Sequence, residues 1–108
     1  MKLLTLLSVT AFSLATATLW AEETPPLKSG DRIVFLGDSI TQAGVGPKGY
    51  VTLVNRVLKE QLKDKQVEVI GAGISGHKVP NLQERLERDV LSKDPTVVVI
   101  YIGITDVW

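Results

Sequence analysis

The chain has 108 residues, with 12 Lys and Arg balanced by 12 Asp and Glu, one His and no Cys. That length suits one small domain, and the neutral balance leaves no basic excess to attract nucleic acid. Without cysteine there is no disulfide and no thiolate metal site, and one histidine excludes a histidine-rich metal centre within these residues.

Residues 1–21 read as a secretory signal segment. Lys2 supplies the positive start, Leu3–Leu19 the apolar middle, and Ala15-Thr16-Ala17 or Ala21 the small residues at a cleavage point. Thr5, Ser8, Thr10, Ser13, Thr16 and Thr18 interrupt the apolar run, which suits a cleaved signal better than a stable membrane anchor. The expected destination is therefore outside the cytoplasm, periplasmic or secreted, with no membrane span left after cleavage. An uncleaved N-terminal anchor is the alternative. Residues 22–30 are polar and hold Pro25-Pro26, so they read as a linker into a domain over residues 31–108. A domain of that size is near the lower end for a self-sufficient core.

Ile33–Leu36 is a run of four apolar residues, the pattern of a buried strand, and Gly37-Asp38-Ser39 breaks it. At the carboxyl end of a strand in a parallel sheet, Ser39 would stand where open α/β folds place their sites. A serine on a sharp turn can offer its hydroxyl to a substrate and its N–H to a developing oxyanion. The same three residue types also favour a plain turn. Ala43–Gly49, with Gly44, Gly46, Pro47 and Gly49, reads as a loop beside it.

Tyr50–Lys63 reads as a helix with Tyr50, Leu53, Val54, Val57, Leu58 and Leu62 on the inward stripe. Gln66–Ile70 reads as a second strand nearer an edge, followed by a glycine-rich turn over Gly71–Gly76. Val79–Leu91 reads as a second helix, with Val79, Leu82, Leu86 and Val90 inward and Glu84, Arg85, Glu87 and Arg88 outward. Glu84 and Arg88 are spaced to pair. Thr96–Ile102 is apolar without alternation, which predicts a central strand buried on both faces. The order β-α-β-α-β predicts an α/β fold with a parallel sheet.

Three strand ends then meet at one edge of the sheet, carrying Gly37-Asp38-Ser39, Gly71–Gly76 and Gly103–Asp106. Three such turns together favour an active site over three coincidental turns. They also resemble the blocks of the SGNH hydrolases, the GDSL-type esterases and lipases. Phe35–Thr41 resembles the first block, Ala72–Gly76 the second, and Tyr101–Trp108 the third, in family order across residues 31–108.

The resemblance implies a flavodoxin-like three-layer fold, of which this chain would hold the N-terminal portion, three strands and two helices. It implies an esterase acting on acyl or acetyl esters of carbohydrates or lipids through an acyl-enzyme on Ser39, with no cofactor and no metal. Ser39 and Gly73 would give backbone N–H groups to the oxyanion hole. Thr105 stands where the family's third donor, an asparagine, usually lies, and Gly71 where the second block usually has asparagine. The family's base belongs to an Asp-x-x-His block near the C-terminus, which has no counterpart in these residues; His77 lies in the second-block turn. A partial domain, inactive alone or binding without hydrolysis, is the alternative expectation. A further alternative is dinucleotide binding, because Gly71-x-Gly73-x-x-Gly76 follows a strand and precedes a helix. No acidic residue closes a strand about 20 residues later, since Asp89 falls in the helix and Asp94 in a loop.

Overall fold

The computed structural model describes residues 26–108. The expected signal segment, and the linker up to residue 25, lie outside the described residues. The first strand, β1, spans Arg32–Gly37, and Ile33, Val34, Phe35 and Leu36 are all buried. Alternation splits them between two cores. Ile33 and Phe35 pack with Val51, and Val34 and Leu36 pack with Leu82 and Val90. A strand covered on both faces needs apolar residues at every position, which is why this one carries no polar alternation. Each such side chain contributes about 1.5–3 kcal/mol when fully buried.

The sheet is parallel throughout. The second strand, β2, spans Glu68–Gly73 and the third, β3, Val97–Tyr101. Their order is β2-β1-β3, with Gly37 opposite Gly73 on one side and opposite Tyr101 on the other. The carboxyl ends of all three strands therefore lie side by side. Helix α2, Tyr50–Gln61, covers one face of the sheet. Helices α3, Val79–Glu84, and α4, Leu86–Asp89, cover the other through Leu82 and the adjoining Val90. The three-layer α/β architecture is as the sequence predicts.

Several details differ. A short helix, α1, spans Ser39–Gly44, where the sequence reads as a turn and the start of a loop. In α2, Val51 is buried while Leu53 and Val57 are exposed. Its inward stripe is thus Val51, Val54 and Leu58 with Tyr50, at the same three- and four-residue spacing but rotated from the predicted face. The second predicted helix is broken at Arg85, whose backbone leaves helical geometry, and ends at Asp89, after which a 3-10 turn, Leu91–Lys93, closes on Asp94 in a left-handed conformation. Finally β1, not β3, is the middle strand. Val98, Val99, Ile100 and Tyr101 are exposed, since no described strand pairs with the outer edge of β3.

The stretch before β1 is fastened to the domain. Leu27 packs on the Val51 cluster, the Lys28 N–H donates to the Asp31 carboxylate at 2.6 Å, and the Gly30 N–H donates to the Gln66 carbonyl at 3.1 Å. Among the described residues no helix is long and apolar enough to cross a membrane.

Candidate active site

The chain reverses directly off the end of β1. A Cβ on Gly37 would come under 3.0 Å from the Thr41 side chain and the Tyr101 carbonyl, so only glycine lets α1 fold back over the strand end. Asp38 then caps α1: it is 1 % exposed, and its Oδ1 accepts the Ile40 N–H at 3.0 Å. Thr41, fully buried, shares a 2.8 Å hydrogen bond with the Tyr50 hydroxyl. Gln42 Oε1 accepts the Ser75 N–H at 2.6 Å, which ties α1 to the turn after β2. Ser39 itself is exposed, on a turn whose neighbours are each held by a separate contact.

β2 runs on to Gly73, so the first half of the predicted glycine-rich turn is strand. Gly73 lies against the first turn of α1: a Cβ there would come under 3.0 Å from the backbone of Asp38, Thr41 and Gln42. Close approach of two backbones is what the missing side chain permits. In the β1–β2 ladder, the N–H groups of Glu68 and Ile74 donate to Asp31 and Gly37. Alternate residues of a parallel strand serve one neighbour. Gly73, between the donors Ala72 and Ile74, therefore does not spend its N–H on β1.

Thr105 opens a 3-10 turn, Thr105–Val107, four residues beyond the end of β3. The next residue, Asp106, accepts the Val79 N–H at 3.0 Å, so this segment is pinned to the start of α3. All three predicted site residues thus lie beyond or at the carboxyl ends of adjacent strands. Ser39 and Gly73 are brought together through α1. Thr105 is placed at the next strand end, with no hydrogen bond to Ser39 among the described residues.

His77 is turned to a different partner. Its Nδ1 accepts the Arg85 Nε–H at 3.1 Å, which places the imidazole proton on Nε2. The nitrogen with the free lone pair is therefore already engaged with Arg85.

Arg85 corrects the sequence reading most sharply. Predicted outward, it is 4 % exposed. Its Nη2 donates to the Gly37 carbonyl at 2.8 Å and its Nη1 to the Ala72 carbonyl at 2.9 Å. Asp89 supplies the counter-charge at 2.9 Å, four residues on. Arg88 also pairs with Asp89, at 2.6 Å, and not with Glu84. The Arg88 guanidinium, and after it that of Arg85, hold the Asp89 carboxyl well below the usual carboxylate range, against the opposing effect of partial burial. The signal for Arg85 lies in its spacing, because Arg85 and Asp89 follow the buried Leu82 by three and seven residues, the spacing of one helical face.

Among the described residues no cluster of three or more His, Asp or Glu is placed to hold a metal ion. Gly71 and Gly73 sit within β2, and the helix after them starts only at Val79. The tight strand-to-helix turn that cradles a pyrophosphate is therefore missing, and the dinucleotide reading fails on geometry.

The sequence profile of the GDSL-like lipase/acylhydrolase family matches residues 35–108. The chain belongs to this family. The matched span holds Ser39, Gly73 and Thr105, the residues on which the SGNH resemblance rests. The acetylxylan esterase of Geobacillus stearothermophilus is 38% identical over 91 residues, 74% of this chain and 42% of that protein. Among solved structures, the acetyl xylan esterase AlAXEase is 53% identical with a TM-score of 0.67, covering 71% of this chain and 39% of its own. The Geobacillus stearothermophilus acetylxylan esterase Axe2 is 37% identical with a TM-score of 0.67, covering 75% and 42%. The chain thus spans less than half the length of these relatives.

Proposed function

We propose that the protein carrying this segment is an exported serine esterase that removes acetyl groups from xylan or xylo-oligosaccharides. The observation that carries the reading is the placement of Ser39 on a capped turn packed against Gly73 at the head of a parallel sheet. The names of relatives at 37% and 53% identity support the acetyl-xylan substrate class. The pattern of residues 1–21 supports export.

In this reading the Ser39 Oγ attacks the acetyl carbonyl carbon, and its proton passes to a base. The tetrahedral oxyanion takes the N–H groups of Ser39 and Gly73, with the Thr105 hydroxyl as the third donor. Collapse expels the sugar alkoxide, which takes the proton, and leaves Ser39 acetylated; water then attacks the ester and releases acetate. Donors fixed before the reaction stabilise developing charge without reorganising. Asp38, Thr41–Tyr50 and Gln42–Ser75 supply that fixity here. Serine needs an adjacent base, and the resemblance assigns that part to an Asp-x-x-His block, not to His77.

A second reading, an exported domain that binds esters without cleaving them, is favoured by Thr105 alone. A threonine hydroxyl on a stiff β-branched side chain reaches less far than an asparagine amide. Turnover of p-nitrophenyl acetate and acetylated xylo-oligosaccharides decides between them. Hydrolysis lost in Ser39→Ala supports the esterase; a folded protein that binds the oligosaccharide without releasing acetate supports the second reading.

A further inference from the structure

We infer that Arg85 is a positioning residue for the oxyanion hole, acting through the peptide plane that carries the Gly73 N–H. This rests on the proposed role of Gly73. The Ala72 carbonyl and the Gly73 N–H belong to one rigid peptide unit. Arg85 Nη1 donates to that carbonyl at 2.9 Å, and Nη2 donates to the Gly37 carbonyl at 2.8 Å. One planar guanidinium therefore fixes the last peptide of β2 and the strand end that leads into Asp38-Ser39. Two donors held in one fork set the distance and the rotation of both planes, which a single ammonium cannot do.

The arrangement costs more than a structural staple needs. Burying a guanidinium is expensive unless its charge and its N–H groups are all matched. Here Asp89 matches the charge, His77 takes Nε–H, and the two strand-end carbonyls take the remainder named above. A leucine would join α3 to the sheet without that requirement. The fork gives something a leucine cannot. A hydrogen bond to a peptide carbonyl polarises the unit and strengthens its N–H as a donor. The Gly73 N–H, left unused by β1, is the one strengthened.

The test uses the protein carrying this segment, with Arg85→Lys as the first variant. Lysine keeps the charge but offers no fork. Ester turnover is measured with circular dichroism and melting of each variant, and with the affinity of phenylboronic acid, whose serine adduct is tetrahedral. The expected result is a fall in kcat of about 10-fold or more, KM within ~2-fold, an unchanged pH profile, and weaker boronate binding in parallel with kcat. A structural staple alone would lower the melting temperature and leave turnover per folded molecule unchanged, which would overturn the inference. Where Arg85→Lys does not fold, Arg85→Gln, which buries no charge, takes its place with the same expected and contrary results. Turnover surviving in Ser39→Ala removes the esterase reading itself, whereas Ser39-dependent turnover indifferent to Arg85 overturns this inference alone.

Discussion

Gly73→Ala is the substitution with the most defined consequence. The added Cβ would come under 3.0 Å from the Gln42 nitrogen, the Thr41 carbonyl carbon and the Asp38 carbonyl oxygen. All three are backbone atoms of the α1 turn, so no side chain can swing aside to make room. Ordinary contact begins at 3.4 Å, and reaching it requires α1 and β2 to separate by about 1 Å. Overpacking of that kind costs about 1–3 kcal/mol. The displaced turn carries Ser39, and the Gln42–Ser75 and Thr41–Tyr50 hydrogen bonds stretch with it. A shift of about 1 Å between reacting groups lowers rate on the order of 10²-fold. In the protein carrying this segment, Gly73→Ala is expected to lower the melting temperature by several degrees and kcat far more than KM. A variant that melts and turns over like the parent would refute the close approach of β2 to α1, and with it the account of Ser39 and Gly73 as neighbours.

Two further outcomes follow from neighbouring groups. Thr105→Val removes the hydroxyl while keeping the shape, and is expected to lower kcat on the order of 10²-fold if that hydroxyl is the third oxyanion donor; Thr105→Asn is expected to match or exceed the parent, and an unaffected Thr105→Val places the third donor elsewhere. Asp89 has a folded pKa held below its ordinary value of 3.8, so its contribution to stability is full above that value and is lost as pH falls from there toward the folded one. Urea unfolding between pH 6 and pH 3 (about two pH points per unit) should show stability declining at the acid end, with a shallower decline in Asp89→Asn; parallel curves would mean that Arg85 and Arg88 do not hold the carboxylate.

The order of elements and the strand-end positions of the candidate residues are legible in the chain because both depend on strong local signals. Four consecutive apolar residues ending in Gly37-Asp38-Ser39 mark a buried strand and its exit, and Gly73 and Thr105 follow comparable runs. What stayed hidden depends on tertiary contact. Helix α1 has six residues, too few to show a 3.6-residue period, and its only local sign is Asp38 in the capping position before Ser39. The apolar positions of α2 outnumber those one face can bury, so the sequence could not choose Val51 over Leu53 and Val57. The apolar run of β3 describes what its faces can bury, not what the described residues provide to cover them. The sequence pattern puts Arg85 toward solvent because charged residues are usually there. Its burial depends on two carbonyls, Gly37 and Ala72, that lie 48 and 13 residues away in sequence.

The central claim is that Ser39 is an activated nucleophile beside an oxyanion hole. Treating the protein that carries this segment with a fluorophosphonate, then locating the adduct by mass spectrometry, tests it directly. The account predicts one covalent phosphonyl group on Ser39, absent from Ser39→Ala and slowed in Gly73→Ala. A folded protein that hydrolyses esters while Ser39 remains unlabelled would contradict it.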